Sequence, residues 1–300
     1  MKKSFLGNSG IEVSEIGLGC MSLPTDKKEA AIIVDAAIAH GINYFDTADL
    51  YNKGINEEIV GQALKHHRKD IILATKVGNQ WNTHSDEVNW NPTKAYIKEQ
   101  IHASLKRLQT DYIDLYQLHG GMITDDSEET IEAFEELKKD GLIRAYGISS
   151  IRPNVISRFL STSDISSIMM QYSLLDRRPE ELLDSIRQAG KSVVTRGTLA
   201  KGLLTGEALK RTEKMDGYLS YSSAELKDVL QKLLAVHDNL HALSLQSVLQ
   251  HNAISSVVAG ASSAEQIKAT ISAYETPVSS EQIAQAKKLT RQDVYQEHRD

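Results

Sequence analysis

Short apolar runs rich in Ile, Val and Tyr recur along the chain, and segments with helical spacing separate them. Eight runs are predicted strands: 15–19, 42–46, 71–76, 112–119, 143–149, 167–172, 192–196 and 256–260. Seven segments are predicted helices: 28–40, 57–66, 93–108, 127–139, 153–160, 179–189 and 224–250. Gly41, Gly141 and Gly190 follow helical segments as stops, and Asp126 precedes Glu129 by three residues as in a capping box. Strands and helices are therefore predicted to alternate.

Eight strands that alternate with helices over about 260 residues are typical of one α/β fold, the (β/α)8 TIM barrel. The strands read as buried on both faces, as the parallel strands of such a barrel are. A doubly wound sheet is the alternative, but the turn at 17–22 lacks the third glycine of the dinucleotide-binding fingerprint. We expect a single domain over 1–300. An N-terminal hairpin at 6–14 would plug the barrel, and an extra C-terminal helical stretch at 280–300 would lie outside it.

Composition and charge narrow the possible function classes. Of 300 residues, 41% are hydrophobic and 25% are charged, which favours a globular chain with a sizeable core. Lys and Arg number 34 against 40 Asp and Glu, a net charge of −6, so we expect no nucleic-acid partner and no membrane partner. Cys20 is the single cysteine, and the sequence has neither a signal-peptide pattern nor a run of about 18 apolar residues. We expect a cytoplasmic protein, a monomer or weak oligomer.

Polar residues stand where the predicted strands end, which is where a TIM barrel carries its reacting groups. Asp46, Lys76 and His119 close the second, third and fourth runs, and Tyr51 follows Asp46 by five residues. A tyrosine acts as a general acid near neutral pH only beside cationic donors, since an unperturbed phenol has a pKa of about 10. Lys76 would supply that charge, Asp46 would keep the lysine ionised, and His119 would orient a substrate carbonyl. Singly, each has a plainer interpretation as a loop cap, a solvated lysine or a core histidine.

Two longer motifs resemble those of a known protein family. GINYFDTADLY at 41–51 and EEIVGQAL at 57–64 resemble the aldo-keto reductase signature. Further matching segments follow in the family's order at 6–14, 75–76, 118–119 and 141–149, so the likeness extends from about residue 4 to about residue 274. It implies a barrel that binds a nicotinamide cofactor without a Rossmann motif, usually NADPH, and reduces small aldehydes or ketones by hydride transfer. It also implies a catalytic tetrad with Tyr51 as proton donor, assisted by Lys76 and Asp46, and with His119 placing the carbonyl oxygen.

The same resemblance implies a set of cofactor-binding residues. Near the nicotinamide these are Gly19, Cys20 and Met21 beside the ribose and Ser149 at the carboxamide, followed by Ser150. The loop over the pyrophosphate contributes Leu199, Ala200, Lys201 and Gly202, and the adenosine 2′-phosphate and adenine end contributes Gly260, Ser262, Ser263, Gln266 and Thr270. The predicted set also includes Asp46, Met169, Arg196, Gly197 and Thr198. The phosphate site would lie at a helix N-terminus, which favours anions.

Four of these positions depart from the family's usual residues. Ser150 and Thr270 stand where asparagine is common, and Met169 stands in place of a glutamine, although Gln171 is close enough to leave the register open. Arg196 replaces an aromatic residue that stacks on the nicotinamide. Because the arginine is permanently charged, we hypothesise that it stacks on the ring or pairs with a phosphate and favours NADPH over NADP+. The alternative is an arginine that faces outward from a loop.

The sequence leaves several candidates for the substrate-contacting residues and for the function. Trp81 is the predicted substrate contact, with Trp90 and Met21 as other candidates, and either tryptophan could instead pack its loop onto the barrel rim. No metal is expected, since His237 and His241 lack the pattern of a zinc motif. Two other functions stay open: an NADPH-binding redox sensor or regulatory subunit with little turnover, and a lyase that uses Lys76 as a Schiff base.

Overall fold

The computed structural model describes residues 1–82 and 85–299. In that part of the chain the strands are β1 (Lys3–Phe5), β2 (Glu12–Ser14), β3 (Ile16–Gly19), β4 (Tyr44–Asp46), β5 (Ile72–Val77), β6 (Asn79–Trp81), β7 (Val88–Trp90), β8 (Ile113–Leu118), β9 (Ile143–Ser149), β10 (Ser167–Gln171), β11 (Ser192–Arg196), β12 (Gly217–Tyr218), β13 (Tyr221–Ser222) and β14 (Ile254–Gly260). The helices are α1 (Lys27–Ala39), α2 (Ile55–Leu64), α3 (Lys94–Leu108), α4 (Ser127–Lys139), α5 (Pro153–Thr162), α6 (Glu180–Gln188), α7 (Ala208–Thr212), α8 (Ser223–Val236), α9 (Leu240–Leu249), α10 (Ala264–Glu275) and α11 (Ser280–Leu289).

Eight parallel strands close into a barrel, in the order β3, β4, β5, β8, β9, β10, β11 and β14, after which β14 pairs with β3 again. The chain visits neighbouring strands in turn, and helices lie between them in sequence. The predicted (β/α)8 TIM barrel is therefore confirmed, and the doubly wound alternative is wrong. Each predicted strand overlaps one barrel strand. All carboxyl ends of the strands meet at one end of the barrel, here called the C-terminal face.

The N-terminal hairpin fills the opposite end of the barrel. β1 and β2 pair antiparallel, and the hairpin inserts Leu6, Ile11 and Val13 among inward side chains of seven barrel strands. Gly7 donates its backbone N–H to the Ser192 hydroxyl at 3.0 Å, and its positive φ of 48° brings the turn close to the start of β11. The expected plug is present.

Helix ends follow the predicted punctuation with one exception. Asp126 caps α4 by accepting the Glu129 N–H at 3.0 Å, but the Glu129 carboxylate accepts the Lys94 N–H instead of closing a capping box. Glu129 thus caps the neighbouring α3. Gly41, Gly141 and Gly190 stop their helices with φ values of 82°, 74° and 73°.

Two expectations about the C-terminal third are wrong. The stretch 224–250 is two helices, because His237 adopts an extended conformation and Asn239 caps α9 through the Ala242 N–H at 3.0 Å. The terminal stretch is helical only to Leu289, and residues 290–299 continue without a helix or strand. Across the described residues, no helix is long and apolar enough to cross a membrane.

Candidate active site

Asp46 and Lys76 form a buried ion pair at the C-terminal face. They end or nearly end the adjacent strands β4 and β5, and Lys76 Nζ lies 2.5 Å from Asp46 Oδ1. The ammonium also donates to the Thr47 carbonyl at 2.7 Å, while the Gln117 amide donates to Asp46 Oδ2 at 3.3 Å. Only 1% of the lysine side chain and 5% of the aspartate side chain are exposed, so each charge depends on the other.

Burial and pairing act against each other on this pair. Burial alone would lower the pKa of Lys76, but the charge of Asp46, the interaction with Tyr51 and the hydrogen bonds to both side chains together hold the pKa above its ordinary value. Burial raises the pKa of Asp46, although the charge of Lys76 and the Gln117 amide oppose the rise. The lysine is therefore an ammonium at neutral pH.

Tyr51 lies beside this pair in a strained turn. The turn Tyr51–Gly54 follows β4, and Asn52, Lys53 and Gly54 have φ values of 48°, 55° and 88°. Two successive non-glycine residues in the left-handed region are uncommon and are found where a site fixes its backbone. Lys76 Nζ lies 5.2 Å from the centroid of the half-buried Tyr51 ring.

His119 completes the group directly after β8. Its ring meets the Tyr51 ring edge to face, with centroids 6.0 Å apart, and its backbone N–H donates to the Val77 carbonyl at 2.7 Å. Burial, together with the positive charges of Lys76 and Arg196, lowers the pKa of His119 to about 3. Its Nδ1 is buried and has no protein partner. The four predicted residues thus meet around one point, with a neutral imidazole opposite a buried ammonium.

The ends of β10 and β11 resolve the open register. Gln171 is the last residue of β10 and pairs in register with Arg196, whose Nη1 donates to Gln171 Oε1 at 3.1 Å. Met169 lies two residues deeper, packed in the barrel interior with the plug. Gln171, and not Met169, therefore stands at the strand end where the family resemblance predicts a glutamine. Arg196 is the last residue of β11 and not a loop residue, but it is exposed, and its side chain contacts Gln171 at the neighbouring strand end.

The remaining predicted cofactor positions lie around the same face. Ser149 and Ser150 are buried at the end of β9, where the Ser150 N–H donates to the Met169 carbonyl at 3.1 Å. In the next loop, Thr198 is buried, and its hydroxyl donates to the Tyr172 carbonyl at 3.1 Å. The other predicted members of this loop are Gly197, Leu199, Ala200, Lys201 and Gly202; all except Leu199 have positive φ, between 46° and 86°.

The segments after β3 and β14 lie side by side. Gly19 pairs with Gly260, and Cys20 is fully buried, with burial raising the pKa of its thiol, whereas Met21 is 63% exposed. Beyond β14, the predicted phosphate-site residues Ser262, Ser263 and Gln266 lie at the start of α10, and Thr270, predicted near the adenine, lies one turn further on. Ser263 caps that helix, Ser262 and Gln266 are exposed and hydrogen bonded to each other, and Thr270 is buried.

The two tryptophans differ in their contacts. Trp81 donates its indole N–H to the Leu50 carbonyl at 3.1 Å, one residue before Tyr51, and carries Lys53 over its ring at 5.0 Å. Trp90 bonds the Asp125 carboxylate and packs over the backbone of Gly78 and Gly120, so it seals the rim. Trp81 is the tryptophan that lies next to the site.

Sequence reasoning missed two buried polar groups near the site. Asn56 accepts the Thr47 hydroxyl at 2.6 Å and donates to the Cys20 carbonyl at 2.8 Å, which ties the segments after β3 and β4 together. Asp49 is buried and neither carboxylate oxygen has a protein partner. Both residues lie within or beside the 41–51 motif, where their polar character was the available signal. No cluster of potential metal ligands occurs within 1–82 and 85–299.

Comparison with known proteins identifies the family of this chain. The family model described as "Aldo/keto reductase family" matches residues 15–291. The uncharacterized oxidoreductase YqkF of Bacillus subtilis is 53% identical over the full length of both chains. The holo form of aldo-keto reductase AKR11C1 from Bacillus halodurans is 55% identical, with a TM-score of 0.95 over 100% of each chain. The NADH-specific methylglyoxal reductase of Escherichia coli is 32% identical, over 93% of this chain and 95% of that protein. The chain belongs to the aldo-keto reductase family and is an oxidoreductase.

Proposed function

We propose that this protein reduces small aldehydes or ketones to alcohols with NADPH, and that Tyr51 donates the proton. The observation that carries this proposal is the buried Lys76 ammonium, 5.2 Å from the Tyr51 ring and 2.5 Å from Asp46. A fixed positive charge favours the phenolate that forms when Tyr51 gives up its proton, and Asp46 keeps that charge in place. The neutral His119 ring has one N–H, which would hold the substrate carbonyl oxygen next to the tyrosine hydroxyl.

The charge state of Lys76 argues against the lyase alternative. A Schiff base forms from a neutral amine, whereas Asp46 raises the pKa of this lysine and keeps it protonated. Its ammonium is also committed to the Thr47 carbonyl and the Asp46 carboxylate. We therefore assign Lys76 an electrostatic role.

The residues of the C-terminal face fit a nicotinamide dinucleotide. We propose that Ser149, Gln171 and Arg196 face the nicotinamide, that the loop 197–202 with its exposed Lys201 meets the pyrophosphate, and that Ser262 and Gln266 meet the adenosine end. The N-terminus of α10 favours the negative charge of a 2′-phosphate, which is the local basis for preferring NADPH to NADH. When bound, the cofactor supplies the hydride.

Arg196 gives this site an unusual charge. It lowers the pKa of His119 together with Lys76, so it acts on the same space as the catalytic group. A permanent cation there disfavours the positively charged ring of NADP+ relative to NADPH. We therefore expect the dissociation constant for NADP+ to exceed that for NADPH, and we expect Arg196→Tyr to reduce this ratio. An unchanged ratio contradicts this role.

The test is NADPH oxidation with 4-nitrobenzaldehyde, with NADH in parallel. Tyr51→Phe should lose turnover by about 10² to 10⁴-fold, the usual contribution of a general acid, while its dissociation constant for NADPH stays near that of the wild type. Tyr112→Phe is the matched control, because Tyr112 lies between α3 and β8 at the opposite end of the barrel. Unchanged turnover in Tyr51→Phe refutes the mechanism. Tight NADPH binding without wild-type turnover would instead identify a redox sensor.

A further inference from the structure

The C-terminal strap, residues 290–299, has no helix or strand but is fixed at several points. The Arg291 N–H donates to the Tyr221 hydroxyl at 2.6 Å, the Tyr295 N–H donates to Glu181 at 3.2 Å, and the His298 carbonyl accepts the Asn154 N–H at 2.8 Å. Glu181 lies in the first turn of α6, and Asn154 lies in the first turn of α5. Because these helices follow β10 and β9 in the chain, their N-terminal turns lie at the edge of the C-terminal face, and the strap runs along that edge.

Tyr295 anchors the strap in the protein. Its side chain is only 5% exposed although the strap has no regular structure. The ring lies against the guanidinium of Arg178, whose Cζ is 5.0 Å from the ring centroid, a cation–π geometry. Its hydroxyl is buried and has no protein partner, so the ring makes the contact.

Arg178 and Asp176 connect Tyr295 to the end of β10. It forms a bidentate pair with Asp176, with distances of 2.7 Å from Nε to Oδ1 and 2.8 Å from Nη2 to Oδ2. Asp176 Oδ2 also accepts the Gln171 side-chain amide at 3.0 Å. A bidentate arginine pair fixes the plane of the carboxylate, and the carboxylate in turn fixes the amide.

The orientation of Gln171 is determined at both ends. A carboxylate only accepts hydrogen bonds and a guanidinium only donates them, so the nitrogen of the amide faces Asp176 and the oxygen faces Arg196. Among residues 1–82 and 85–299, no carboxylate forms an ion pair with Arg196, and Gln171 is the side chain that holds it. A continuous series of contacts therefore connects the strap to the exposed side chain of Arg196.

We propose that the C-terminal strap is a positioning element for the nicotinamide end of the site, with Tyr295 acting through Arg178 and Asp176 on Gln171 and Arg196. Tyr295 is a positioning residue, since it acts only through others. The inference rests on the proposed function, because it assumes that Gln171 and Arg196 face the nicotinamide. It predicts that a residue in the tail controls cofactor affinity without belonging to a cofactor-binding segment.

The test compares full-length Tyr295→Ala, Tyr295→Phe and Tyr112→Ala. Tyr112 is a matched control, because its ring also lies against an arginine, with Arg68 Cζ 3.9 Å from the centroid, but at the opposite end of the barrel. Each variant is titrated with NADPH by fluorescence, and KM and kcat are measured with 4-nitrobenzaldehyde. We expect Tyr295→Ala to bind NADPH about tenfold more weakly, a usual size for coupling between two sites. Tyr295→Phe should bind NADPH as tightly as the wild type, since the hydroxyl has no protein partner. Tyr112→Ala should also keep the wild-type affinity.

Two results would overturn the inference. One is wild-type NADPH affinity in Tyr295→Ala, and the other is an equal loss in Tyr112→Ala, which would indicate general destabilisation. If the wild type itself binds no nicotinamide nucleotide, the proposed function fails. In that case amide hydrogen exchange still tests whether the strap positions the end of β11, because this measurement needs no cofactor. The Tyr172 N–H donates to the Arg196 carbonyl at 3.1 Å. Faster exchange at this amide in Tyr295→Ala than in Tyr112→Ala supports the strap's role, and equal exchange refutes it.

Discussion

Replacing Lys76 with methionine would test how the buried ion pair contributes to stability. Its charged atoms are 2.5 Å apart. Coulomb's law with an effective dielectric constant of about 20 gives an attraction of about 7 kcal/mol at that distance. Removing both ions from water costs several kcal/mol each, so the pair as a whole contributes little net stability. Lys76→Met keeps the desolvation cost of Asp46 but removes the attraction, and we expect the free energy of unfolding to fall by about 3 to 5 kcal/mol.

Urea unfolding followed by circular dichroism would measure this loss, and two further variants make it interpretable. Asp46→Asn combined with Lys76→Met leaves no buried charge, so the double variant should be more stable than Lys76→Met alone. Lys232→Met is the exposed control, because its pair with Asp228 has side chains 56% and 60% exposed and should cost less than about 1 kcal/mol. If Lys76→Met costs no more than Lys232→Met, or if the double variant is the least stable, the argument from desolvation is wrong.

Two more predictions concern buried groups outside the tetrad. Burial and the nearby charge of Glu57 raise the pKa of Asp49 to about 8, so the folded state keeps a proton that the unfolded state releases above pH of about 4. Stability should therefore fall as pH rises between these values, and urea unfolding of Asp49→Asn across that range should show a shallower fall than the wild type. A Cβ on Gly61 would lie 2.5 Å from backbone atoms of Leu108. Gly61→Ala should therefore lower the free energy of unfolding by about 1 to 3 kcal/mol, which a lower melting temperature would show. Gly206→Ala meets nothing within 4 Å and should leave the melting temperature unchanged or slightly raised.

The barrel could be predicted because its physical requirements are local. Parallel strands covered on both faces need continuous apolar runs, and each such run in the sequence is a barrel strand. The break between α8 and α9 was harder, because His237, Asp238 and Asn239 interrupt a segment whose helical spacing continues on both sides. Asn239 was an available N-cap signal, and in the structure its side chain does cap α9.

The depth of a residue within the barrel could not be predicted. Met169 and Gln171 are two residues apart and therefore point to the same side of β10, so the alternation of side chains does not distinguish them. Their roles separate only through the register with β11, which pairs Gln171 with Arg196 and leaves Met169 in the interior. The tetrad needed no such register, because Asp46, Lys76 and His119 stand at or beside the ends of their strands.

The plug and the candidate site are physically connected through the barrel interior. Tyr44 and Ala74 lie two residues before Asp46 and Lys76 on the same strands, and both pack in the apolar cluster that contains Leu6 of the hairpin turn. This mainly apolar cluster lies beneath the ion pair, and burial is the main cause of the raised pKa of Asp46. Because both side chains are almost fully buried, their attraction is screened less than it would be at the surface. The hairpin at the far end of the barrel therefore helps to set the charge that faces Tyr51.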